Sequence, residues 1–389
     1  MFNIARIPEP LCDTLSGYPN TPTRASRSIL VMVHDWCYSV VVYDPPVGDS
    51  PPKLSLPGEI EARLRAVVLD VEMRLQNGEK AVPIGVLSAD NRDRWSKVKN
   101  TLNIYFFKKD TKFIQQNLQH LLSLSPLNQK SHQVMLHSAM ALSLDHTTYI
   151  IPPPSLSSYQ HTRTTTHQNA LDAHVHAIRG TTQNVSNRFF DKPFTIIVDP
   201  STRAGASGEH SPVDALVPSI VAEYGIVQGV DAEALESRRM RENEVDGKGW
   251  ERLDWVADEK MWKECLAATE RANAIINNSD DSVLWFDKFG SNWIKSFGLF
   301  LFFRPSKRTL KYPPSHLTGN YKLSPDAFIQ MAIQLAWYKT RGEFTATYET
   351  VLTRMFKHGR TETLRAFSRE SRHWVLSMLD PLDSVSFCS

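Results

Sequence analysis

The sequence predicts an α/β fold, because short β-branched runs alternate with amphipathic helical patterns along the chain and no apolar run is long enough to cross a bilayer. Val31 to Val33 and Ser39 to Tyr43 read as two strands with the polar pair His34-Asp35 between them. Between Gly58 and Gly78, Ile60, Leu64, Val67, Val68, Val71 and Leu75 recur at helical spacing, and Gly78 ends the pattern. Leu118 to Leu142 shows helical spacing again. Ile150 to Gln168, rich in Pro, Ser, Thr and His, reads as a loop.

Phe194-Thr-Ile-Ile-Val198, bounded by Pro193 and Asp199-Pro200, has the character of a buried strand. A glycine-containing turn from Arg203 to Gly208 follows. Val213, Leu216, Val217, Ile220 and Val221 then suit a helix, so His210 is expected at a strand-to-helix turn. The charged segment Glu233 to Lys260 is expected to be a solvated helix or linker, which sets a domain boundary near Lys248. Ser324 as N-cap, Pro325 at the first position and Asp326 in the first turn predict a helix to Tyr338.

Composition excludes several functional classes. The 44 basic and 42 acidic residues leave a net charge of +2, which gives no field for drawing a nucleic acid. Cys12, Cys37, Cys265 and Cys388 form no CxxC pair, so neither a zinc site nor a disulfide framework is expected, and a reducing compartment fits. His161, His167, His174 and His176 lack metal-ligand spacing and are expected at the surface, with no metal bound. No signal peptide, transit peptide or peroxisomal address is legible, so the expected location is intracellular, whether cytoplasmic, mitochondrial or peroxisomal.

The chemistry concentrates at Glu209-His210-Ser211-Pro212-Val213-Asp214. On a first helical turn Asp214 would return beside the imidazole and fix its tautomer, leaving the other ring nitrogen as a base near neutral pH. No Gly-x-Ser-x-Gly elbow occurs, which argues against a serine hydrolase.

Three blocks in order, Arg188-Phe-Phe-Asp-Lys-Pro to Gly208-Glu-His-Ser-Pro-Val-Asp-Ala215, then Phe289-Gly290 with Lys295 and Leu323 to Gln330, then Thr347-Tyr-Glu349 to Thr363, resemble the choline/carnitine acyltransferase family. The resemblance implies two similar domains of mixed β-sheet flanked by helices, of the chloramphenicol-acetyltransferase type, divided here as 1–247 and 248–389 with the second incomplete. It implies direct transfer of a short, acetyl-like acyl group between coenzyme A and the carnitine hydroxyl by a monomer, without covalent acyl-enzyme or permanently bound cofactor. His210 would be the base, Asp214 its orienting carboxylate and Glu209 a supporting neighbour. Lys295, Asp326 and Ser324 match coenzyme A-binding positions, and Tyr348 and Thr361 match positions binding the carnitine carboxylate.

The chain departs from the family pattern at Ser291, which stands where a lysine is usual, and at two Phe- and Lys-rich insertions, 98–115 and 298–321, expected to be retained introns. Both ends are expected to be cut relative to the family, with Ser389 lying before its Ser-Thr-Ser motif. Weak or absent activity of the chain as written is therefore expected.

Overall fold

The computed structural model describes residues 3–9, 12–17, 23–48, 50–96, 117–151, 166–229, 249–284, 290–295, 324–357 and 359–379. They fall in two compact units, 1–283 and 284–389.

In the first unit the strands are β1 (Arg6–Ile7), β2 (Thr14–Leu15), β3 (Ser28–Val33), β4 (Trp36–Val41), β5 (Ala141–Leu144), β6 (Phe194–Val198), β7 (Ala204–Gly208) and β8 (Trp250–Leu253). β1 and β2 form a short antiparallel ribbon. The other six make one mixed sheet in the order β7-β6-β5-β3-β4-β8, with β3, β5 and β6 mutually parallel and the remaining pairs antiparallel. The α/β expectation is met by this sheet, which helices flank.

β3 is buried at all six residues because both faces of the sheet are covered. Ile29, Val31 and Val33 face one way, with Tyr38 and Val40 of β4, and meet Val67 and Val71 of helix α1 (Pro57–Gln76). Burial of each valine contributes about 1.5–3 kcal/mol. Leu30 and Met32 face the other way and meet Met135 and Phe189. His34 and Asp35 make the two-residue β3–β4 turn with φ of 46° and 69°, the left-handed pair that matches hairpin twist.

The helical pattern expected from Leu118 to Leu142 is instead two helices and a strand. After the short α2 (Arg92–Trp95), α3 (Asn117–Leu124) stops where Ser125 caps α4 (Pro126–His137) through Leu127 N–H at 3.1 Å. Pro126 has no N–H to continue α3 and disfavours helical backbone at Ser125. The stretch past Ser138 becomes β5 because β3 and β6 offer it parallel pairing on both sides.

Helix α5 (Thr166–Arg179) carries three of the histidines expected at the surface; His161 lies outside the described residues. His176 departs from that expectation. It is buried, with Nε2 at 2.8 Å from the Asp281 carbonyl and 2.9 Å from the Asp280 carboxylate, and it ties α5 to the loop after α7 (Glu259–Asn277). The charged stretch ending at Lys260 is likewise not a linker in its described part. β8 pairs with β4, matching Leu253 to Cys37, and Met261, Cys265 and Ala268 of α7 enter the core, so residues 250–283 pack with the first unit. The compact units divide at 283/284.

In the second unit, α8 (Pro325–Arg341) is capped by Ser324, whose Oγ accepts from Ala327 N–H at 3.3 Å, and ends at Gly342, left-handed at φ 73°. It is followed by an antiparallel hairpin, β9 (Tyr348–Leu352) with β10 (Thr361–Arg365), and by α9 (Arg369–Ser377). The insertions 98–115 and 298–321 lie outside the described residues.

Candidate active site

His210 stands in the turn between β7 and α6 (Leu216–Gln228), and sheet pairing delivers it there. β7 runs antiparallel to β6 from Ala204 opposite Val198 to Gly208 opposite Phe194, and Glu209 N–H then donates to the Pro193 carbonyl at 3.2 Å. A Cβ on Gly208 would lie 3.0 Å from Pro218 Cγ, so glycine lets α6 sit close behind the turn.

The expected helical turn at 210–214 is an irregular loop, since α6 begins only at Leu216. Pro218 explains the later start: its missing N–H costs nothing in a first turn, but would break a helix already running from residue 211. The imidazole is still held. His210 Nδ1 is 3.1 Å from the Val213 carbonyl, and Asp214 Oδ1 stands 3.7 Å from the same nitrogen. A carbonyl can only accept, so Nδ1 carries the proton and Nε2 is left with its lone pair. The side chain is 70% exposed. Asp214 is buried beside it.

Glu209 turns to the protein interior. Its Oε1 accepts from Ser211 N–H at 3.0 Å, from the Ser211 hydroxyl, and from Arg6 Nη1 at 3.2 Å. Beyond Arg6 runs a chain of charge. Arg6 pairs with Asp13; Asp13 Oδ2 also takes Arg92 Nε at 2.7 Å; Arg92 Nη1 reaches Asp191 Oδ1 at 2.7 Å, and Asp191 Oδ2 accepts from Trp95 Nε1 at 2.8 Å. Burial pushes the Asp191 carboxyl up to about 6, against the opposing pull of Arg92.

Lys192, 1% exposed, donates from Nζ to the carbonyls of Ile4 at 3.1 Å and Leu136 at 2.8 Å. Burial pulls its ammonium down to about 7. The sign of the linkage follows. Between about 7 and the ordinary 10.5 the unfolded chain binds this proton and the folded chain does not, so this group makes stability rise with pH across that window. The slope is at most about 1.4 kcal/mol per pH unit. From pH 7 through 8 to 9 the denaturant midpoint of the wild type is expected to gain on that of Lys192→Met; parallel curves would refute the assignment.

The second unit carries the other residues singled out in the sequence. Lys295 is exposed in the helical stretch 291–295, which Ser291 begins. Ser324 uses its oxygen as the α8 cap. Asp326, in the first turn of α8, is hydrogen-bonded to Glu349 of β9, and this contact holds the Glu349 carboxyl above its ordinary range. On the hairpin Tyr348 pairs with Arg365 and Thr361 with Leu352. Four residues separate those pairs, so Tyr348 and Thr361 share one face about 13 Å apart along the strands.

The sequence model of the choline/carnitine O-acyltransferases matches this chain over residues 1–112, 108–300 and 309–387. The chain belongs to that family. Among its relatives, human liver carnitine O-palmitoyltransferase 1 is 27% identical over 99% of this chain and 41% of its own length. Carnitine O-acetyltransferase of Columba livia is 26% identical over 98% and 49%. Choline O-acetyltransferase of Sus scrofa is 24% identical over 83% and 41%. The chain thus spans less than half the length of these acyltransferases. The joins between the three matched stretches fall within the insertions 98–115 and 298–321.

Sequence reading of this acyltransferase chain missed Arg6, Asp13, Arg92, Asp191 and Lys192 as surroundings of the site. Their charges are scattered over almost 190 residues, and nothing local distinguishes them from surface charge. The one usable signal was Asp191-Lys192 inside an otherwise apolar run, Phe189-Phe190 and Pro193 to Val198, where charged residues must be buried with partners.

Proposed function

We propose that this chain carries the reaction machinery of a carnitine O-acyltransferase, moving a short acyl group between coenzyme A and the carnitine hydroxyl. The observation that carries the reading is the His210 turn inside the family match, with Nδ1 3.1 Å from the Val213 carbonyl and the side chain 70% exposed. In the forward direction Nε2 takes the proton of the carnitine hydroxyl as its oxygen attacks the thioester carbonyl. The tetrahedral adduct collapses with loss of the coenzyme A thiolate, which recovers the proton from the imidazolium. No bond to the protein forms. Asp214, 3.7 Å from Nδ1, would steady the transient imidazolium, and Glu209 would hold the loop. Lys295 is the candidate point charge for a coenzyme A phosphate, with Ser324 and Asp326 along the same ligand. The hydroxyl of Tyr348 or of Thr361 is the candidate donor to the carnitine carboxylate, one carboxylate being too small to span the roughly 13 Å between them.

No described helix is long and apolar enough to cross a membrane, and no described cluster of His, Cys, Asp and Glu could hold a metal ion. The test is thiol release by purified protein from acetyl-, octanoyl- and palmitoyl-coenzyme A, with carnitine or choline as acceptor. Carnitine-dependent release, fastest with acetyl-coenzyme A, is the expected result. A second reading, coenzyme A binding with little transfer, draws on Ser291, which removes a positive charge expected beside the phosphates. Saturable coenzyme A binding without release under any acceptor would favour it.

A further inference from the structure

We propose that Arg6 is a positioning residue for His210, acting through Glu209 from the β1–β2 ribbon. The inference rests on His210 being the base and extends it to what keeps that base in place. His210 has 70% of its side chain exposed, and its Nδ1 contacts, the Val213 carbonyl and Asp214, both lie in its own loop. Through these two contacts the ring depends on the position of the loop. Glu209 ties the loop to the ribbon: its Oε1 receives the N–H and hydroxyl of Ser211 from one side and the Arg6 guanidinium from the other.

Arg6 is itself anchored, which makes it the fixed end of the pair. Its Nε pairs with Asp13, and Asp13 is held by Arg92, which is held in turn by the buried Asp191. Its backbone N–H donates to the Asp191 carbonyl at 2.8 Å, and Lys192 grips the Ile4 carbonyl two residues earlier. Asn3 adds hydrogen bonds to the carbonyls of Ser26 at 2.9 Å and His137 at 3.1 Å. The ribbon is thus fastened to the segment just before β6, the strand whose partner β7 leads into the His210 loop. Two routes, one through the sheet and one through Arg6 and Glu209, meet at that loop. Displacing a reacting group by about 1 Å can cost about 100-fold in rate, so the second route has a catalytic consequence.

The test compares Arg6→Gln, Arg6→Lys and Glu209→Gln in the full chain by amide hydrogen exchange and by thiol release. In Arg6→Gln the amides of Glu209, His210, Ser211, Val213 and Asp214 are expected to exchange about tenfold faster or more, with β3 and β6 unchanged. Glu209→Gln, which leaves the ribbon's own ion pairs in place, is expected to do the same. Arg6→Lys, keeping the charge, is expected to recover part of the protection. In parallel kcat is expected to fall about 10- to 100-fold while KM for both substrates holds. Unchanged exchange in the loop, or an increase spread evenly over the unit, would overturn the proposal. Exchange reads out without turnover, so absence of transfer in the wild type would count against the acyltransferase reading alone.

Discussion

Replacing His210 by alanine is expected to reduce carnitine-dependent thiol release by about 10²- to 10⁴-fold, the usual contribution of a general base. The expectation comes from the tautomer: Nδ1–H is committed to the Val213 carbonyl at 3.1 Å, so Nε2 has the lone pair to take a proton. The same geometry ranks Asp214 well below it. At 3.7 Å from Nδ1, in surroundings as wet as a 70% exposed ring implies, its attraction for an imidazolium is worth about 1 kcal/mol. Asp214→Asn is therefore expected to lose roughly fivefold. A kcat series at saturating carnitine for wild type, His210→Ala and Asp214→Asn checks both. A His210→Ala variant within about tenfold of wild type would remove the histidine from the base role, and equal losses at the two positions would mean that Asp214 does more than steady a charge.

The parts of this site that could be read from sequence are those decided by neighbours in the chain. Phe194 to Val198 announced itself because a β-branched apolar run sits between Pro193 and Asp199-Pro200, and it is the strand that places the site. The β3–β4 hairpin and α1 were legible for the same reason. β7 was not: Ala204-Gly-Ala-Ser-Gly208 has no β propensity, and it is a strand only because β6 presents a free edge to pair with. The stretch 210–214 was read as a first helical turn because Asp214 stands four residues after His210 and apolar spacing begins at Val213, although Pro218 already favoured a start near Leu216. The ion-pair chain from Glu209 to Asp191 was invisible because pairing at sequence separations of 79, 99 and 203 residues is a product of the fold.

Removing the charge of Arg188 is expected to destabilise the first unit by about 3–5 kcal/mol, the cost of leaving a buried carboxylate without its cation. Arg188 and Asp145 have side chains 2% and 0% exposed and meet in a two-pronged contact, Nη1 to Oδ1 at 2.6 Å and Nη2 to Oδ2 at 2.7 Å. Nη2 also donates to the Ala177 carbonyl of α5 at 2.8 Å and Nη1 to the Asn187 carbonyl at 3.0 Å, so one guanidinium joins the end of β5, α5 and the segment leading to β6. In Arg188→Met, Asn184 and Asn187 still donate to Asp145 at 2.7 and 3.4 Å, but no cation remains. Adding Asp145→Asn removes the stranded charge as well, because breaking a buried pair from one side costs more than deleting it. The double variant is therefore expected to recover at least about half of the loss, read as denaturant midpoints of the two variants beside wild type. A single variant within about 1 kcal/mol of wild type, or a double variant no better than the single, would mean that the pair contributes through packing alone. His210 lies outside this contact, so where the single variant still folds, its effect belongs in stability and in the amount of active protein, with kcat per folded molecule unchanged.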